Sequence, residues 1–220
     1  MTRPAFTRVN RYIFDPQAMS WSLPSGTTCP GALLCLAKAD RHTGKIWNGP
    51  EQKFKCYSAV TERFPSVRQR LWANFDAVKG KSALEVADVL ECMPRKTERV
   101  RIHTAGDFFS QAYFDGWLEF CRRHERVHFW AFTKSVKFWV ARLGQIPSNL
   151  VLQASKGGRE DHLIDEHGLK YAEVVWSEQE AAQKGLAIDV DDYLAAYGSA
   201  PFALLENFSA AKKRPAAETR

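Results

Sequence analysis

From Arg99 onward the chain alternates between two periodicities, and that alternation limits the folds open to it. RVRIHTAGD (99–107), VHFWAFTK (127–134), NLVLQAS (149–155), AEVVWS (172–177) and FALLEN (202–207) read as strands. Segments of helical spacing lie between them. They are Phe114, Trp117, Leu118 and Cys121 after a Ser110 cap, then Ser135 to Leu143, EQEAAQKG and DVDDYLAAYG. Strands and helices in alternation build βα units on a mainly parallel sheet. Upstream, AMSWSLP reads as a first strand ending at Pro24. Val60, Phe64, Val67, Leu71, Phe75 and Val78 mark one helix face from near Cys56, with a start or kink at Pro65 and an end at Gly80. Ser82 and Glu85 make a capping box for a helix that Pro94 stops. About six units result, fewer than a closed eight-fold barrel needs. The expected fold is a partial (β/α)6 barrel with a mainly parallel sheet, and a doubly wound sheet is the alternative.

The 220 residues suit one α/β domain over 1–208, with a basic tail over 209–220 expected to be disordered. No run of about 18 apolar residues predicts a membrane span, and MTRPAFTRVNRYIF lacks the apolar stretch of a secretory signal. The expected location is the cytoplasm, where structural disulfides are disfavoured and an odd count of five cysteines is unremarked. The net charge of +6 leaves contact with a polyanion open.

Three of the five cysteines, Cys29, Cys35 and Cys56, fall in one polar stretch after the first strand. Five and twenty residues separate them, with no CxxC pair. Thiolates that converge in a polar loop suit a metal. Zinc prefers four ligands, and His42 could be the fourth; three cysteines alone suit a 4Fe-4S cluster with one open iron. Cys92 and Cys121 fall on apolar helical positions and read as small core residues.

In parallel α/β folds ligands bind at the carboxyl ends of the strands. His103 and Asp107 stand at the end of the second unit and Lys134 at the third. Ser155, Lys156, Gly157 and Gly158 stand at the fourth, where glycine amides can approach an anion. His103, Asp107 and Lys134 are the candidate catalytic residues, expected to share a cavity with the cysteines. Helix capping competes for Asp107 and core burial for His103. A zinc-stabilised nucleic-acid-binding or base-modifying protein is the second reading. Arg68, Arg70, Lys134, Lys156 and Arg159 would then meet phosphates, and Trp21, Trp72 and Trp176 would stack bases.

The segments SLPSGTTCPGA, CLAKAD, TGKIWNGPE, FKCYSA, VRQRLWANFD, VRIHTAGDFFSQAYFDGWL, AFTKS, LQASKGG and FALL, in that order, resemble the phage gene product 88 family from about Trp21 to Leu205. That resemblance implies a phage protein working in the host cytoplasm. A more distant resemblance joins the cysteine loop to the radical S-adenosylmethionine enzymes, although their usual spacing is CxxxCxxC. It implies that Cys29, Cys35 and Cys56 hold a 4Fe-4S cluster whose open iron binds S-adenosylmethionine. Tyr57 would follow the third cysteine as a cofactor-binding aromatic, with Ser155, Lys156, Gly157 and Gly158 on the cofactor or its substrate. It also implies an electron donor as partner, and a small-molecule or nucleic-acid substrate. A cluster carrier or redox sensor without turnover is the remaining alternative.

Overall fold

The computed structural model describes residues 2–206, so the tail expected over 209–220 lies outside the described residues. A short β1 (Thr7–Arg8) pairs antiparallel with β2 (Met19–Trp21). A hairpin of β3 (Ala37–Ala39) and β4 (Ile46–Asn48) follows. Next come α1 (Tyr57–Thr61), α2 (Pro65–Val78) and α3 (Ala83–Leu90). The alternating half runs β5 (Arg99–Ile102), α4 (Gln111–Arg123), β6 (His128–Thr133), α5 (Val136–Val140), β7 (Leu150–Ser155) and α6 (His162–Glu166). It closes with β8 (Tyr171–Val175), α7 (Glu178–Gln183), β9 (Ala187–Ile188), α8 (Tyr193–Tyr197) and β10 (Phe202–Leu205).

The main sheet has the order β1-β2-β5-β6-β7-β8-β10-β9, and every pairing beyond β1–β2 is parallel. The protein is thus a mixed α/β fold on a mostly parallel sheet. Strands β2, β5, β6, β7, β8 and β10 stand side by side in chain order, without the reversal that marks a doubly wound sheet.

Register assigns the two faces. Trp21, Ile102, Ala131 and Leu152 align across four strands. They join the main core with Val86 and Leu90 of α3 and Phe114, Trp117 and Phe120 of α4. One residue earlier, Ser20, Arg101, Trp130 and Val151 align and face the other way. On that face Trp130, Ala172 and Phe202 pack with Ala195 and Ala196 of α8. Cover on both faces explains why these strands read as near-continuous apolar runs.

Local chemistry sets the helix ends. Ser82 and Glu85 form the reciprocal capping box. Ser110 Oγ accepts the Tyr113 amide to open α4. Pro65 begins α2, so the single helix face read from Val60 to Val78 is two helices with a break at 62–64. Two further expectations change. Cys92 lies in the turn after α3 and is exposed, because the helix stops before its apolar stripe does. The cysteine stretch is not wholly irregular, since the β3–β4 hairpin occupies its middle.

Candidate functional site

The second unit ends differently from its sequence reading. Strand β5 stops at Ile102, and His103 adopts a left-handed φ of 66°, uncommon for a residue with a side chain. Its amide still donates to Trp21 O at 3.0 Å. The ring turns into the α4 core, bonds through Nε2 to the Tyr113 hydroxyl at 2.9 Å and sits among Phe108, Tyr113 and Trp117. Burial, with Arg101 nearby, pushes its pKa down to about 3, so the imidazole is neutral. His103 is therefore a core histidine on the helix side, not a partner of Lys134 in one cavity.

The same turn, through Gly106 at φ 81°, delivers Asp107 to the strand ends. Asp107 Oδ1 accepts from Thr133 Oγ1 and the Phe108 amide, each at 2.7 Å, and Oδ2 accepts the Lys134 amide at 2.8 Å. Burial raises its pKa to about 6 against those bonds. Lys134 Nζ donates to Ser155 O and Ser155 Oγ, both at 2.8 Å, and to Lys156 O at 2.6 Å. Asp107, Lys134 and Ser155 therefore form one network over the ends of β5, β6 and β7.

Beyond the Lys156 carbonyl, their neighbours on the fourth unit do not join it. The Lys156 ammonium lies 4.0 Å from the Tyr171 ring centroid and 3.8 Å from Asp165. The Gly157 and Gly158 amides donate to the Asp161 carboxylate at 2.7 and 2.9 Å. The cradle expected for a ligand's anion is filled by a carboxylate of the chain itself.

The cysteine loop docks on this edge. Arg159 N donates to Gly31 O at 2.9 Å, Leu34 N donates to Gly157 O at 3.0 Å, and Ala32 and Gly158 form an antiparallel bridge. Cys29 Sγ accepts from Gly26 N at 3.3 Å, and Cys56 Sγ lies 3.2 Å from Ser58 Oγ. Burial raises the Cys29 thiol most, and the charges of Asp107, Cys56 and Cys35 add to it. Burial also raises Cys35, which Lys134 opposes and Cys56 and Asp107 reinforce. Cys29 thus lies within the fields of Cys35, Cys56 and Asp107, and Cys35 within those of Cys56, Asp107 and Lys134. Among the described residues, no group of three or more His, Cys, Asp or Glu side chains has a geometry ready to hold a metal ion. His42 is exposed on the hairpin turn, where its carbonyl binds Arg68.

Tyr57 bridges loop and sheet. Its ring is 43% exposed, yet its hydroxyl donates inward to Thr104 O at 2.8 Å, within the fields of Arg101 and Asp192.

Several residues here escaped sequence reading. Arg101, buried in mid-strand, pairs with Asp192, donates to His103 O at 2.6 Å and lies 5.0 Å from the Phe132 ring. Its signal was a charge inside the apolar run RVRI. Arg68 is buried and binds the carbonyls of Arg41, His42, Glu62 and Arg63. The phosphate-meeting set consequently does not form one surface: Arg68, Lys134 and Trp21 are buried, whereas Arg159 and Trp176 are exposed. Arg70 donates to Arg3 O, and Trp72 lies under Arg41 at 4.6 Å.

Glu62 is fully buried. Oε1 accepts the Ser25 amide at 2.7 Å, and Oε2 accepts no hydrogen bond among the described residues. Burial pushes its pKa up to about 7. A carboxyl raised on folding holds its proton in the native state after the unfolded chain has lost it. Its stabilisation is therefore complete below the ordinary carboxyl value and declines as pH rises towards 7. We expect Glu62→Gln to remove that decline and to stabilise the protein above pH 7 by up to about 3 kcal/mol. Urea unfolding at pH 4.5 and 8 checks this; an unchanged pH slope contradicts it.

The Gene product 88 family model matches residues 4–220, which extends beyond the segments that carried the sequence resemblance at both ends. The gene 88 protein of Mycobacterium phage L5 is 33% identical over 142 residues, covering 63% of this chain and 56% of that protein. The gene 88 protein of Mycobacterium phage D29 is 28% identical over 151 residues, with the same shares covered. The chain thus spans about half the length of these curated relatives. No solved structure matches it. No helix among the described residues is long and apolar enough to cross a membrane. With a family model matched over nearly its whole length, the chain belongs to the gene product 88 family.

Proposed function

We propose that this chain is an iron–sulfur protein in which Cys29, Cys35 and Cys56 hold a 4Fe-4S cluster, and that it acts as a radical S-adenosylmethionine-like enzyme in the host cytoplasm. The observation that carries the reading is that three cysteines share one loop, which docks through backbone hydrogen bonds of Gly31 and Leu34 on the carboxyl ends of parallel strands, beside Asp107 and Lys134. That donor set fits a group that asks for three thiolates and leaves one metal position open. The run of six parallel strands in chain order supports a partial (β/α)6 barrel, whose ligand end is the end where these groups meet.

When bound, such a cluster supplies an open iron for the amino and carboxylate groups of S-adenosylmethionine and passes on an electron from an external donor. The chain's own residues do the rest. Asp107 ties β5 to β6, and Lys134 ties β6 to β7, which fixes the rim. Arg101, Asp192 and the Tyr57 hydroxyl present charge and hydrogen-bonding groups on the face opposite α4.

Anaerobic purification with iron and sulfide analysis tests the reading, followed by reduction in the presence of S-adenosylmethionine. Brown protein with iron, sulfide and release of 5′-deoxyadenosine is expected. Colourless protein holding zinc overturns it in favour of a zinc-stabilised nucleic-acid-binding or base-modifying protein. A cluster without cofactor cleavage makes the chain a carrier or redox sensor.

A further inference from the structure

Residues 36–55 hold five Lys or Arg against two Asp or Glu, which is half of the net charge of +6. The β3–β4 hairpin displays that charge on one face. Ala37 and Ala39 turn inward and are buried, so Lys38 between them turns outward. Lys38 stands directly across from Trp47 in the register. Lys45, whose carbonyl accepts the Asp40 amide at 2.8 Å, extends the ladder two residues before Trp47 and on the same side. Trp47 is 52% exposed, and both lysines are exposed. Among the described residues, neither ammonium has a carboxylate within ion-pair distance. The turn's own carboxylate, Asp40, is taken up by the His42 and Thr43 amides at 3.0 and 2.6 Å and by the Thr43 hydroxyl at 2.7 Å.

The hairpin is held from behind. A Cβ on Gly26, at φ 68°, would lie 2.1 Å from Ala37 O, and one on Gly44, at φ 73°, would lie 2.3 Å from Arg68 Nη1. The buried Arg68 donates to Arg41 O at 3.0 Å and to His42 O at 2.9 Å, which ties the turn to α2. Arg68, read from the sequence as a phosphate contact, therefore supports this face from inside. Trp47 is presented on a backbone that is already ordered, so a ligand meets little further ordering cost there.

We propose that the exposed face of the β3–β4 hairpin binds single-stranded nucleic acid, with a base stacked on Trp47 and the flanking phosphates met by Lys38 and Lys45. A single strand offers both partners at once: each base has a free face to stack, and each linkage carries a phosphate to neutralise. A duplex keeps its base faces stacked inside and offers the indole none. An acidic peptide would meet the lysines and leave the indole without a partner. One exposed ring gives little apolar area to bury in a bilayer. The face is built by the hairpin and its Arg68 support, so it does not depend on what the three cysteines hold.

The test uses the full chain, washed free of nucleic acid in high salt, and a fluorescein-labelled single-stranded oligonucleotide of mixed sequence, with anisotropy as the readout. Binding with a Kd between about 1 and 100 µM at physiological salt is expected. Trp47→Ala is expected to weaken it about tenfold, and Trp47→Phe, which keeps a ring to stack on, to stay within about threefold of wild type. Lys38→Ala combined with Lys45→Ala is expected to flatten the slope of log K against log salt by about 1.4. No binding by the wild-type protein overturns the proposal. Wild-type affinity in a folded Trp47→Ala protein, or a wild-type salt slope in the double lysine variant, overturns it as well. If far-UV circular dichroism shows that Trp47→Ala does not fold, the lysine variant, which changes only exposed side chains, decides. Binding of the duplex form, of poly-glutamate or of phosphatidylserine vesicles as tight as that of the single strand also overturns it.

Discussion

If the proposed centre forms, replacing Cys29, Cys35 or Cys56 by Ser, one at a time, is expected to reduce bound metal to below about a tenth of the wild-type content, and Cys92→Ser and Cys121→Ala to leave it unchanged. The contrast follows from position. The three loop cysteines are half-buried and lie on a segment docked against the strand ends, and burial together with neighbouring charges raises Cys29 and Cys35. Repulsion between thiolates is relieved when a cation sits among them. Cys121 is fully buried in the α4 core, and Cys92 is exposed in the turn after α3. Iron, sulfide and zinc analysis of each variant, purified anaerobically, is the measurement. Full metal content in any one of the three loop variants removes that residue from the centre. Loss in Cys121→Ala with unchanged thermal stability would instead make Cys121 a ligand.

The alternating half of the fold was legible because its signals are local. Period-two apolar runs and Ser caps are written within a few residues, and β6, β7, β8 and β10 lie where those runs lie. That Asp107, Lys134 and Ser155 meet at one end of the sheet could be anticipated because placing residues at strand ends needs only the strand boundaries. His103 could not be placed the same way. Whether a residue just past a strand points to one face or the other depends on a single backbone angle, and here that angle is left-handed. Gly157 and Gly158 misled for a related reason. An anion cradle and a turn closed by Asp161 use the same residues, and only the coordinates show which anion fills it. Arg101–Asp192 and Glu62–Ser25 were out of reach because each joins residues distant in sequence.

Gly31→Ala is expected to undock the cysteine loop and to destabilise the metal-free protein by about 3 kcal/mol. An added Cβ would meet backbone, not a side chain that can swing away: 2.0 Å to Lys134 O, 2.4 Å to Lys134 C and 2.9 Å to Ser135 N. That backbone is itself pinned. The Lys134 amide is held by Asp107, and the Ser135 amide by Thr133 Oγ1 at 3.0 Å. Relief therefore comes from the loop, which gives up the Arg159–Gly31 and Leu34–Gly157 hydrogen bonds. Amide exchange by mass spectrometry reads this directly, through lost protection at Leu34 and Arg159 with the β6 and β7 amides kept. Gly80→Ala is the control. Gly80 has φ 71° but open space around its Cβ position, so the substitution costs only backbone strain of about 1 kcal/mol and leaves the loop protected. Wild-type protection at Leu34 and Arg159 in Gly31→Ala would mean that the loop is not seated on Lys134. The thiols would then lose part of the framework that brings them to the strand ends, because Gly31 packs directly on the Lys134 backbone at the sheet edge.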